Sequence, residues 1–231
     1  MNLESKMKVF YINLEKSKDR KAHMEKMLSE LNLDYERFEA ICPTIKEIKF
    51  GKFKKFYERA VQNLKKYVKL ERFHSKAIGA FGCYLSHLSI HESQLSNPEP
   101  YIILEDDIKL TKETFSLYKD FISNKVYKDW DIIRSIWYSN KEVVKIKGVH
   151  RNSKFSEKHE THNLYGGSHF CVFRNAKKIV NYLSSENVTE IDALYSTSLL
   201  NVYHSKFDVR TMSDAFETTI AKIEWKKNDK S

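Results

Sequence analysis

The first strongly patterned stretch of the chain is an apolar run, VFYINL at residues 9–14, rich in β-branched and aromatic side chains. A run of that length and composition predicts a strand covered on both faces. Behind it, Ser17 offers a helix N-cap and Asp19 an acid in the first turn, where the helix dipole favours one. Met24, Met27, Leu28 and Leu31 then recur at helical spacing. The chain thus opens strand, loop, helix, which is the beginning of an α/β fold. A second, short strand is expected at residues 35–40.

The pattern then changes. Residues 43–75 are Lys-rich and aromatic, with Phe50, Phe53, Phe56, Tyr57, Leu64, Tyr67 and Leu70 loosely at helical spacing. They predict an inserted basic helical segment within the same domain, either a cover over a site or an ordinary surface helix pair. Residues 80–95 predict an amphipathic helix, with Phe81, Tyr84, Leu85, Leu88 and Leu95 on one stripe and Cys83, His87, Ile90 and Gln94 on the other side. Further strands are expected at 101–104, 131–138, 169–174 and 207–212, and a Gly-Gly loop at 164–168. Asn175 and Thr189 are placed to cap helices over 175–183 and 190–202, and residues 224–231 form a basic tail.

Composition narrows this picture. With 231 residues, 41% of them hydrophobic, the chain suits one domain with a sizeable core. Only 6 Gly and 3 Pro argue against an all-β chain with many tight turns. The three cysteines, Cys42, Cys83 and Cys171, are odd in number and form no CxxC pair, which predicts reduced thiols in a cytoplasmic protein. The polar start and the short first apolar run suggest neither a signal core nor a membrane span. A net charge of +9 favours anionic partners: nucleotides, nucleic acid, lipid headgroups or phosphorylated glycans. No helix-turn-helix, zinc-finger or RNA-binding signature is present, so nucleic acid is not the expected partner.

The candidate chemistry lies in Glu105-Asp106-Asp107, at the C-terminal end of the strand at 101–104. Ligands of open α/β sheets bind at that edge. Adjacent carboxylates repel and are costly near a core without a cation. On an extended chain Glu105 and Asp107 point one way and Asp106 the other. Glu105 and Asp107 could then share a divalent ion, Mn²⁺ or Mg²⁺, although an acidic turn has the same sequence. One helix upstream, Gly79 and Gly82 would let backbone approach a ligand closely, and His87 lies off the apolar stripe, as a ligand-facing or a structural histidine.

These segments, in order, resemble glycosyltransferase family 25, whose members include bacterial lipooligosaccharide galactosyltransferases and relatives that modify collagen. VFYINLEKSKDR at 9–20 resembles the family's opening, and FEA at 38–40 the close of its first unit. IGAFGCYLSH at 78–87 is similar to its GxxGCxxSH signature, IILEDD at 102–107 to its acidic motif, and DWDII at 129–133 to the segment that follows. GGSH at 166–169, Asp192 and FETTI at 216–220 match later segments. The sequence departs from the family where GTHAY reads GGSHFCV, and where the proline before Asp192 is absent.

The resemblance implies a GT-A-like single nucleotide-binding domain with a mixed central sheet, and an inverting transfer of a sugar, most often galactose from UDP-galactose. It implies a glycan or glycolipid acceptor of the lipopolysaccharide or lipooligosaccharide class. By the same likeness Glu105 and Asp107 hold the metal, and Asn13 and Arg20 lie near the nucleotide. Arg20 could equally pair with Asp19 or Glu15. Asp106 would contact ribose or sugar, while Ser86, His87 and Gly167 would line the substrate pocket. The general base would be Asp192, with Glu190 and Asp131 as runners-up, although the spacing from Thr189 to Asp192 also fits a capping box. A lipid-anchored acceptor would bring the basic surface against the anionic inner face of the membrane. The alternative is a metal-dependent phosphoryl-transfer enzyme or nuclease, which clustered acids and basic charge also permit.

Overall fold

A computed structural model describes residues 7–44, 46–47, 51, 54, 58, 70–123, 129–135, 149–152, 169–185, 191–195, 199–205 and 210–211. The elements in chain order are β1 (Lys8–Asn13), α1 (Lys18–Glu30), β2 (Tyr35–Glu39), α2 (Leu70–Ser93), β3 (Tyr101–Glu105), β4 (Ile108–Lys109), α3 (Lys112–Ser123), β5 (Ile132–Ser135), β6 (Val149–Asn152), β7 (Phe170–Phe173), α4 (Ala176–Ser185), α5 (Ile191–Leu194), β8 (Val202–Ser205) and β9 (Arg210–Thr211).

Among the described residues, seven strands form one mixed sheet in the order β2-β1-β3-β7-β5-β8-β6, while β4 pairs separately with β9. β1 lies parallel to β2 and β3, β7 runs antiparallel to β3 and β5, and β8 runs parallel to β5. The carboxyl ends of β1, β3 and β5 and the start of β7 therefore meet at one sheet edge. This is the mixed α/β architecture expected from the sequence.

Period-2 alternation divides the strand residues between two cores. Val9, Tyr11, Ile102, Leu104, Phe170 and Val172 pack with Met24 and Leu28 of α1 and Phe115 and Tyr118 of α3. Phe10, Ile12, Ile103, Cys171 and Phe173 pack with Tyr84 and Leu88 of α2, Ile179 of α4 and Leu194 of α5. Helices thus cover both faces, which is why β1 and β3 read as nearly unbroken apolar runs.

Several local expectations are corrected. Ser17 makes no side-chain cap; its carbonyl instead accepts from Lys21 N at 3.0 Å and from Asn13 Nδ2 at 3.1 Å. α1 ends with Asn32 in the left-handed region (φ 54°), and Leu33 N bonds back to Leu28 O at 3.1 Å, a Schellman closure. Asn175, at φ 65°, opens α4 as expected, with its side-chain oxygen 3.4 Å from Lys178 N. α2 begins at Leu70, a full ten residues before the predicted start, absorbing the end of the expected inserted segment. The predicted helix at 190–202 is described only as the short α5, and β8 begins at Val202, where that helix was expected to end.

α3 was not foreseen. Phe115, Tyr118 and Ile122 recur at helical spacing and are buried, beside the exposed Leu117. Thr111 caps it, with its Oγ1 3.2 Å from Thr114 N. The rest of the expected segment at 43–75 and the tail at 224–231 lie outside the described residues, apart from a few isolated positions.

Candidate active site

The acidic run leaves the sheet where β3 ends, and its carboxylates diverge as strand alternation predicts. Glu105 and Asp107 turn to one side and share a single imidazole: His169 Nδ1 lies 2.9 Å from Glu105 Oε2 and 3.1 Å from Asp107 Oδ1. His169 stands immediately before β7, and Glu105 N donates to its carbonyl at 2.9 Å, so the β3–β7 pairing itself delivers the ring. Burial opposes a charge on His169, but the carboxylates of Glu105 and Asp107 outweigh it and hold the imidazole well above its ordinary pKa. Arg20 Nη1 also stands 3.9 Å from Asp107 Oδ2, so two cations, His169 and Arg20, face the three carboxylates of the acidic run.

Asp106 turns the other way and is closed off by protein. Arg20 Nη1 donates to its Oδ1 at 2.7 Å and Asn13 Nδ2 to its Oδ2 at 2.6 Å. Burial raises the Asp106 pKa, against the pull of Arg20 and Asn13. Asn13 is itself fully used, since Arg37 Nε donates to its Oδ1 at 3.1 Å. Asn13, Arg20 and Asp106 therefore form a buried brace joining β1, α1 and the β3 turn. Their side chains do not present free groups to a nucleotide or sugar, as the resemblance had implied. Neither Asp19 nor Glu15 takes the Arg20 pairing; Glu15 is held instead by Arg37 at 2.9 Å.

Ser86 is likewise occupied. Its hydroxyl donates to Gly82 O at 2.8 Å and accepts from Ile41 N at 2.9 Å. A Cβ on Gly82 would fall 2.4 Å from Ile41 O, so this glycine serves the approach of the chain's own backbone rather than a ligand. Gly82 and Ser86, one turn apart, dock the exit of β2 on α2.

His87, expected off the apolar stripe, is fully buried, as are Ile90 and His91 on the same helix, whereas Glu92 and Ser93 at its end are exposed. Burial, against the charges of Glu105 and Asp192, holds His87 down to about 4, so it is neutral at physiological pH. Its Nδ1 lies 3.0 Å from Tyr195 Oη, and its Nε2 has no hydrogen-bond partner among the described residues. Tyr195 Oη reaches His91 Nε2 at 2.6 Å, and His91 Nδ1 reaches Tyr101 Oη at 2.7 Å. A buried polar chain thus runs Tyr101, His91, Tyr195, His87 toward the acidic cluster.

The three candidate bases part company. Asp192 is brought to the site: Arg134 Nη1 donates to its carbonyl at 2.8 Å, Arg134 Nη2 lies 3.8 Å from its Oδ1, and its charge acts on Cys83 and His87. Asp131 is not. It precedes β5, and Ile132 aligns through Phe173 with Tyr101, so Asp131 lies at the opposite sheet edge. There it is bound by Lys178 Nζ and by Asn201 N at 2.8 Å. Glu190 and Gly167 lie outside the described residues.

His169, Arg134, His91 and Tyr195 are absent from the sequence-derived site. His169 had a signal, since it closes the GGSH segment. Arg134 had a weaker one, a cation inside the apolar strand Ile132–Ser135 that proves 1% exposed.

The donor set tests the expected metal. One ligand atom from each of Glu105, Asp107 and His169 lies within 4.8 Å of the others. Two hard carboxylate oxygens and one imidazole, which must release its proton to bind, fit a divalent ion such as Mn²⁺.

The sequence profile of "Glycosyltransferase family 25 (LPS biosynthesis protein)" matches residues 6–189, most of the chain. The chain belongs to glycosyltransferase family 25. This family 25 chain is 34% identical over 104 residues to a "Glycosyltransferase 25 family member" of Anopheles gambiae, covering 44% of this chain and 16% of that one. It is 25% identical over 221 residues to "Procollagen galactosyltransferase 1-B" of Xenopus laevis, and 25% over 219 residues to "Procollagen galactosyltransferase 1-A" of the same organism. Each of these two matches covers 88% of this chain and 33% of the relative. The chain thus spans a third or less of the length of these curated relatives.

Proposed function

We propose that this chain is an inverting, divalent-metal-dependent glycosyltransferase that moves a hexose, galactose from UDP-galactose, onto a glycan acceptor of the lipopolysaccharide or lipooligosaccharide class. One observation carries the reading: Glu105, Asp107 and His169 converge at the carboxyl edge of an α/β sheet, in a family 25 chain. The names of the Xenopus relatives support galactose, and the family's description supports the acceptor class.

Glu105, Asp107 and His169 would hold the cation, and Mn²⁺ or Mg²⁺ there supplies neutralisation of the diphosphate leaving group. The acidic cluster would leave donor phosphates unbound without it, by simple repulsion. Asp106 and Asn13 would act on Arg20, keeping the β3 turn rigid so that the flanking carboxylates are pre-positioned. In a single displacement, the acceptor oxygen bonds to the anomeric carbon as the bond to the diphosphate breaks. Asp192, steadied by Arg134, would receive the hydroxyl proton.

No helix among the described residues is long and apolar enough to cross a membrane. Contact with a lipid-linked acceptor would then be peripheral, carried by the +9 charge. The deciding experiment offers UDP-galactose with and without Mn²⁺ and follows both sugar transfer and melting temperature. Metal-dependent transfer, with the donor raising the melting temperature only when Mn²⁺ is present, is expected. Mg²⁺-dependent cleavage of DNA or RNA without transfer would instead favour a phosphoryl-transfer enzyme.

A further inference from the structure

Glu105 has two oxygens, and they face two different sets of partners. Oε2 addresses His169 at 2.9 Å, whereas Oε1 lies 3.9 Å from Cys83 Sγ. On that second side Cys83, His87 and Glu105 form another trio whose ligand atoms lie within 4.8 Å of one another. Tyr195 occupies His87 Nδ1, so the nitrogen open to this trio is Nε2, which is buried and without a hydrogen-bond partner among the described residues. Buried polar atoms are rarely left unpaired, and one that borders a thiol and a carboxylate marks a place for a ligand.

We propose that Cys83, His87 and Glu105 form a second cation site, selective for a thiophilic divalent ion of the Zn²⁺ type and joined to the Glu105–Asp107–His169 cluster through the Glu105 carboxylate. A thiolate, an imidazole and a carboxylate are a donor set that Mg²⁺ shuns and Zn²⁺ favours, and three protein ligands leave a fourth position for water. Burial, reinforced by the charge of Glu105, keeps the Cys83 thiol protonated in the ion-free chain. Binding therefore displaces that proton to solvent as the sulfur becomes a ligand.

The buried polar chain completes the site. For Nε2 to offer a lone pair, His87 Nδ1 must carry the proton and donate to Tyr195 Oη. Tyr195 then donates to His91 Nε2, and His91 Nδ1 donates to Tyr101 Oη. Tyr195 and His91 are thus positioning residues that set the His87 tautomer. An ion here also ties α2 to the end of β3, so loading it raises the melting temperature.

The proposal rests on the transferase reading only through Glu105, and its test separates the two. Co²⁺ is titrated into the chain carrying Cys42→Ser, which removes the exposed thiol, and thiolate-to-metal charge-transfer absorption is followed. The band is expected in that chain and in the added variants Asp107→Asn and His169→Gln. It should vanish in Cys83→Ser, and His87→Gln should weaken binding by about tenfold or more. No band in the Cys42→Ser chain at millimolar Co²⁺, or a band that survives Cys83→Ser, overturns the proposal. Should Cys83→Ser fail to fold by circular dichroism, unchanged affinity in His87→Gln overturns it equally. Loss of Mn²⁺-dependent sugar transfer with the band intact would sink the transferase reading alone.

Discussion

Three consecutive acids at the end of β3 meet opposite fates. Asp106 is enclosed by Arg20 and Asn13, with both oxygens bonded by protein. Glu105 and Asp107 share the imidazole of His169, with Asp107 Oδ2 also 3.9 Å from Arg20 Nη1 and Glu105 Oε1 3.9 Å from Cys83 Sγ. A closed cluster of the Asp106 kind needs nothing further and supports the fold. A cluster held by one shared imidazole and longer contacts concentrates like charge at a sheet edge, where a bound cation would balance it. The contrast suggests a division of labour within a single turn: the middle carboxylate fixes the backbone, and its neighbours address the ligand.

Breaking the closed side should have the largest effect. Arg20→Met strands the Asp106 carboxylate in the core and should cost about 3–5 kcal/mol of stability, read from the urea midpoint. Arg20→Met with Asp106→Leu should recover much of that loss. A single variant as stable as the parent would show that the brace is not needed.

Opening the other side further should separate function from stability. Asp107→Asn should lower sugar transfer by about 100-fold or more, at ~1.4 kcal/mol per tenfold. Its urea midpoint should stay level or rise, because a like-charge repulsion is relieved. Equal losses of activity and stability would merge the two clusters into one structural unit.

Gly82→Ala probes the docking of β2 on α2, one residue before Cys83. The new methyl would meet Ile41 O at 2.4 Å, so that segment must shift, at a cost of about 1–3 kcal/mol. Unchanged stability would mean that residue 41 yields freely.

The smallest effect concerns acid. Burial, together with any charge on His87, holds His91 well below its ordinary pKa of 6.5, among Tyr101, Tyr195 and His87. Its folded pKa is depressed, so its contribution is fully present above pH 6.5 and declines as pH falls below it. His91 alone should contribute about 1.4 kcal/mol per pH unit to the slope, beside a similar share from the buried His87, seen as a falling urea midpoint. His91→Gln should flatten that slope; an unaltered pH profile would exclude His91 as its source.

Much of the fold was legible because its signals are local. The apolar run at 9–14, the helical spacing of Met24, Met27 and Leu28, and the strand before the acids each needed only neighbours in sequence. α3 was missed although Phe115, Tyr118 and Ile122 recur at helical spacing, itself a local signal. The site was legible only in outline. Strand alternation separated Asp106 from Glu105 and Asp107 correctly, but nothing local identified His169 as their partner, 62 residues from Asp107. Asp131 was a runner-up to Asp192 as base on sequence alone; the pairing of β5 puts it at the opposite sheet edge. The resemblance placed Ser86 and His87 in the substrate pocket, and Gly82 was expected to let backbone approach a ligand, because neither motif nor spacing says what packs against a helix face.

The chain's own pattern was therefore sufficient for the α/β class, the family and the location of the acids, since periodicity and short motifs are properties of adjacent residues. Which carboxylate is neutralised, which imidazole joins the open pair, and which buried nitrogen is left without a partner depended on strand order and helix packing. Those outcomes rest on contacts between residues far apart in sequence, such as Asn13 with Asp106 and His87 with Tyr195. Burial and electrostatic pairing exist only once those distant segments have met.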